Sequence, residues 1–191
     1  APASVHEQYF KLYTQITEES SKARLSVSTY NSDAIPSVIE NRDADIGFGF
    51  IYRNSPKLLV REIHSTPMAL VERSKSARPA DVVDPRTLDS AKAVLVKGIA
   101  LDNPDSAAFY KSWFGGNMPF HMYVDSPSLL VKTLPEQGWC ILPENHARRL
   151  REEPDFHFYE LADTNFTLPL YLFLHKEAEE TLKILVKKYF G

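Results

Sequence analysis

Apolar residues along this chain recur with two periods, and the switches between them predict its elements. Val5, Tyr9, Leu12, Tyr13 and Ile16 return every three or four positions behind Ser4, a residue suited to capping a helix. "RLSVSTY" (24–30) then alternates apolar and polar residues like a half-buried strand. Ser32 or Asp33 is placed to cap a short helix carrying Ile35, Val38 and Ile39, with Pro36 in its first turn. "DIGFGFI" (45–51) is an apolar run whose two glycines leave room for a close backbone neighbour. "KLLVREIHSTPMALVERS" (57–74) predicts a long strand broken at Pro67.

The polar, proline-containing "KSARPADVVDPRTLDSAK" (75–92) has the composition of a passage between lobes. A second series follows it. "AKAVLVKG" (91–98) predicts a strand, and "PDSAAFYKSWFGG" (104–116) a helix ended by glycine. "FHMYVD" (120–125) is a strand, "SPSLLVKTLPEQ" (126–137) a helix and "GWCIL" (138–142) another strand. "PENHARRL" (143–150) is a helix opened by proline. The strands "FHFYEL" and "LPLYLFLHK" lead to an amphipathic helix, "EAEETLKILVKKYF" (177–190). Its acidic residues come early and its lysines late, which suits the helix dipole. Strands separated by helices imply α/β architecture, and two such series imply two lobes.

Composition narrows what those lobes can do. With 191 residues, 43% of them hydrophobic, the chain has material for one large core or two small ones. A net charge of −3 without a long basic run argues against a nucleic-acid surface on this chain. One cysteine excludes an internal disulfide framework and a cysteine-rich zinc site. No apolar stretch approaches the roughly 20 residues that cross a bilayer, so no membrane partner is expected.

A catalytic set is not apparent. The six histidines show no metal-ligand spacing, and no nucleophile elbow, phosphate-binding loop or serine–lysine pair is present. No cofactor or metal is called for. Cys140, between Trp139 and Ile141 in an apolar strand, is expected to be a small buried hydrophobe and not a reactive thiol. His146 and the arginines 148, 149 and 151 are expected to be solvated side chains of the next helix.

Three stretches together resemble one family. "EQGWCILP" (136–143) is similar to the G-x-G-I-A-x-L-P signature of effector-binding domains in LysR-type transcriptional regulators, with Glu136 in place of the first glycine. "LSVSTYNSDAIPSVIENRDADIGF" (25–48) resembles the family's strand, loop, helix and following strand, with Asp45 on its aspartate. "REIHSTPMALVERSKS" (61–76) resembles its paired strands, with Pro67 in register. The resemblance implies two Rossmann-like lobes joined by crossing strands, as in type 2 periplasmic binding proteins, with a small molecule held between them. It places lobe I at 1–72 plus 167–191 and lobe II at 73–166. It also implies a cytoplasmic homodimer or tetramer. DNA would be read only by a winged helix-turn-helix domain that this chain lacks, and the family's first strand is not seen either.

A cleft of that kind is edged by strand carboxyl ends and helix amino ends, whose free N–H groups favour an anionic or carbonyl-bearing ligand. Small polar residues predicted at such places are Ser4, Asn31, Ser32, Thr66, Asn103 and Ser126, with Lys97 and Gly98 ending the second lobe's first strand. Each could equally cap a helix without any ligand. The reading is thus a sensor domain for a small anionic effector. An extracytoplasmic solute-binding protein of the same fold is the alternative, and an enzyme ranks below both.

Overall fold

The computed structural model describes residues 9, 13–15, 17–18, 25–100, 104–115, 121–125, 127–150, 152–162 and 165–190. In chain order its elements are α1 (Ile35–Glu40), β1 (Ile46–Gly49), β2 (Leu58–Arg73), β3 (Val82–Val83), β4 (Val94–Val96), α2 (Lys97–Ala100), α3 (Pro104–Phe114), β5 (Met122–Val124), α4 (Leu130–Thr133), β6 (Trp139–Pro143), α5 (Glu144–Leu150), β7 (Phe156–Leu161), β8 (Thr167–His175) and α6 (Glu180–Phe190). The chain divides into two compact units, 1–64 with 170–191 and 65–169. β2 and β8 each contribute residues to both.

In the first unit β1 pairs antiparallel with β8, Phe48 opposite Leu172. Phe48, Leu170, Leu172 and Leu174 form one apolar layer with Tyr9, Leu182, Val186 and Phe190 against it. Phe48 stacks on Tyr9 with ring centroids 5.4 Å apart and meets Phe190 at 5.2 Å. Ile35, Ile39, Leu58 and Phe173 pack on the other side. Gly47 has no side chain because α1 lies on it: a Cβ there would stand 2.6 Å from Ile35 Cγ2 and 2.9 Å from Ile39 Cγ1.

In the second unit β2 runs antiparallel between β6 and β7, with Leu70 opposite Ile141 on one side and Tyr159 on the other. β3 lies parallel to β7, β4 parallel to β5, and a parallel bridge from Ala93 to Trp139 brings β4 beside β6. Segment 75–92 lies within this unit, where it supplies β3 and two 3-10 turns capped by the carboxylates of Asp84 and Asp89.

Four local expectations fail, each for a reason beyond local pattern. Leu25–Tyr30 is not a strand, and Leu25 and Val27 are 44% and 49% exposed. Alternation makes a strand only when a neighbour supplies the ladder, and no strand pairing among the described residues includes this segment. Pro67 does not break β2, which continues through it to Arg73. The next amide, Met68 N–H, donates to Phe166 O at 3.0 Å, so the proline falls where its missing N–H costs no essential bond. The helix after β5 shortens to a 3-10 turn at Pro127–Leu129 and α4, stopping before Pro135. His146 is buried with Ala147 and Leu150, because that face of α5 packs inward.

Candidate small-molecule site

Strand direction decides where the polar residues of the second unit gather. β4 and β5 are parallel, β4 is parallel to β6, and β6 and β7 both oppose β2. The carboxyl ends of all four therefore share one end of the unit with Thr66–Met68 of β2. Lys97 and Gly98 begin α2 immediately beyond β4, so three predicted residues, Thr66, Lys97 and Gly98, come to this end. Lys97 is exposed and Thr66 half-buried. Asn103 and Ser126 belong to the same set but lie outside the described residues, as does Ser4.

A cavity of about 350 Å³ opens at this end, lined by Pro67, Met68, Glu144, Phe158, Glu160 and Phe166 among others. Glu144 accepts from Arg148 Nε at 2.8 Å, one turn on, and the Arg148 guanidinium sits 5.0 Å from the Phe158 ring centroid. Phe166 stacks on Phe109 of α3, with centroids 3.8 Å apart and planes at 14°. The cavity thus has aromatic walls and two carboxylates, while Lys97 is not part of its lining. Sequence reasoning missed these residues. Only the register of β2 on β6 and β7 assembles them, and no local motif announces a register.

In the first unit Asn31 and Ser32 sit in the turn before α1, beside the carboxyl end of β1. Ser32 is buried, and its hydroxyl accepts from Phe50 N–H at 3.3 Å. It does not cap α1, whose N-cap is Ala34 without a side-chain bond. Asn31 is exposed, and its carbonyl accepts from Ala34 N–H at 3.1 Å. The serine instead ties the α1 turn to the residue following β1.

Among the described residues no three histidine, cysteine or acidic side chains group as a metal site. Cys140 is fully buried, and burial pushes its thiol well above the usual range, so it carries no thiolate. Burial likewise raises Tyr110, on the α3 face next to it. Nor is any helix long and apolar enough to cross a membrane, among the described residues.

The sequence model of the LysR substrate binding domain matches residues 8–186. The chain belongs to this family. Solved structures share its fold at low identity. CbnR, a LysR family transcriptional regulator, is 16% identical with a TM-score of 0.72, over 98% of this chain and 65% of that one. The regulatory domain of MexT, a transcriptional activator in Pseudomonas aeruginosa, is 11% identical with a TM-score of 0.72, over 93% and 89%. The BenM effector binding domain, solved with its effector benzoate, is 14% identical with a TM-score of 0.70, over 95% and 82%. This LysR-family chain spans 65% of the length of CbnR. No curated protein sequence matches it. Its fold is the mixed α/β, type 2 periplasmic-binding-like fold of the family.

Proposed function

We propose that this chain is the ligand-sensing regulatory domain of a bacterial, cytoplasmic LysR-type transcription factor, and that it has no catalytic role. The observation that carries the reading is the family match over 8–186, joined to the gathering of Thr66, Lys97 and Gly98 at one sheet end. The effector is a small anionic metabolite. It takes hydrogen bonds from Asn31, Ser32, Thr66 and the Ser4, Asn103 and Ser126 positions, and a counter-charge from Lys97, in the cleft that the family resemblance implies. Binding shifts the population of two conformers and changes the geometry of a homodimer or tetramer. DNA is then contacted by a winged helix-turn-helix domain outside this chain. The lobe limits that accompany this reading are 1–72 with 167–191, and 73–166.

The coding sequence upstream of Ala1 is the most direct test. A helix-turn-helix region there supports the reading. A secretion signal in its place overturns it in favour of an extracytoplasmic solute-binding protein. A second test is binding of a panel of small carboxylates by calorimetry. A ligand of this site loses about tenfold or more in affinity on Lys97→Met or Thr66→Val, since each removes one polar contact to a charged group. Unchanged affinity for both variants counts against the assigned residues.

A further inference from the structure

The second unit has another cavity, at the opposite end of its sheet. Glu72 closes β2 on that side, the loop carrying Ser74, Ser76 and Arg78 follows, and Asp89, Lys92, Gln137 and Trp139 complete the wall. The space is about 310 Å³ and open to solvent, at the lower bound of small-molecule sites. Met68 and Glu72 are four residues apart on one strand, so this cavity lies about 13 Å along β2 from the residues proposed above.

Its walls are fixed by polar contacts that leave donors over. Glu72 is only 3% exposed, and a carboxylate so buried requires a partner. Arg78 supplies it in a two-pronged bond, Nε at 2.7 Å and Nη2 at 2.6 Å, while its backbone N–H donates to Tyr159 Oη at 2.8 Å. Asp89 spends Oδ1 on Ala91 N–H at 3.0 Å, and its carbonyl receives the Trp139 indole N–H at 2.9 Å. Gln137 is held in a left-handed conformation, φ 58°, by its N–H bond to Arg73 O at 2.7 Å. Its side-chain oxygen accepts from Lys92 Nζ at 2.6 Å.

Charge is therefore unevenly settled around this space. Arg78 neutralises Glu72, and Asp89 accepts a backbone N–H, whereas the Lys92 ammonium is bonded to a neutral amide and to no carboxylate among the described residues. Arg78 Nη1 makes no hydrogen bond among the described residues. An ammonium and a guanidinium edge on one cavity, with Ser74 and Ser76 also in its lining, match the donor pattern that oxyanions select. We propose that this cavity is a second ligand site, taking a small oxyanion such as a carboxylate, phosphate or sulfate between Lys92 and Arg78.

The Trp139 indole N–H forms part of the wall and reports on it, while Trp113 of α3 serves as an internal reference. The isotope-labelled chain is titrated with sulfate, and separately with acetate, against chloride at constant ionic strength. Nuclear magnetic resonance is preferable to thermal shift here, because sulfate stabilises folded proteins by exclusion from their surfaces. A saturating displacement of the Trp139 indole signal, with Trp113 still, is the expected result. Lys92→Met weakens it about tenfold, as does Gln137→Glu, which places a carboxylate on the lysine. Lys57→Met, an exposed lysine of the first unit, leaves the curve unchanged. A non-saturating drift shared by both tryptophans overturns the proposal, as does an unaltered curve in Lys92→Met or a lost one in Lys57→Met. None of these outcomes depends on what the effector is.

Discussion

One strand shows two opposite patterns. The first half of β2, Leu58–His64, lets solvent reach Leu59, Arg61 and Glu62 while Leu58 is buried. Its second half reads as an unbroken buried run, Met68 to Glu72. Backbone and strand length are common to both, so the difference comes from what covers each half. The second half has β6 on one edge and β7 on the other, with apolar side chains above and below, and both faces are shut off from water. Hydrophobic pattern therefore reports cover: the run interrupted by Arg61, Glu62 and His64 marks a stretch that solvent reaches on both faces, and the continuous run marks one closed on both.

Removing side chains from the two halves is the strongest way to break this comparison. Leu70 is completely buried, and Leu70→Ala is expected to cost roughly 2–5 kcal/mol in urea unfolding. Leu59 is 45% exposed, and Leu59→Ala should stay within about 0.5 kcal/mol. Similar midpoints for the two variants would dissolve the distinction.

A methyl group added to glycine probes how tightly each unit is built. At Gly138 the new Cβ meets Pro135 Cδ at 2.6 Å and Pro135 O, a backbone atom, at 2.8 Å. Gly47 meets only the side chains of Ile35 and Ile39. Gly138→Ala is accordingly expected to cost about 3 kcal/mol and Gly47→Ala about 1 kcal/mol, with chemical denaturation as the check. The reverse order would mean that the turn before β6 yields more readily than the α1 packing.

Charges sharpen the contrast further. Glu72→Gln leaves the Arg78 fork without its carboxylate. The loss should be about 2 kcal/mol, moderated because Arg78 is 40% exposed. Glu62→Gln, on the open half, should fall within about 0.5 kcal/mol. A modest effect belongs to the proline between the two halves. Pro67→Ala should destabilise by only about 0.4–1 kcal/mol, through greater freedom of the unfolded chain, and leave β2 continuous in hydrogen exchange.

What the sequence disclosed follows the same division between local and distant causes. The turn–strand–helix at 138–150 was legible because a glycine and the apolar run after it are local instructions, although Pro143, expected to open the helix, closes β6 instead. The burial of Cys140 followed from its apolar neighbours. His146 was misjudged, since nothing in "ENHARRL" states which face of the helix will meet the sheet. Leu25–Tyr30 carried a strand's alternation without a strand's neighbour. Asn31, Ser32, Thr66, Lys97 and Gly98 could be named because they border predicted elements. Glu144, Phe158 and Phe166 meet only through pairings between distant segments, and no reading along the chain brings them together.

The division of the chain into one continuous and one split unit has a consequence for its synthesis. Residues 65–169 leave the ribosome as a single block, so that unit has all its strand partners at once. The other unit must wait: β1 pairs with β8, and Phe48 has its partners in Leu172 and Phe190, which are made last. Until β8 and α6 are made, residues 25–64 are a nascent segment with apolar surface and an unmatched strand, the kind of species that chaperones attend. Truncation just before β8 should therefore release a folded middle and an aggregation-prone beginning.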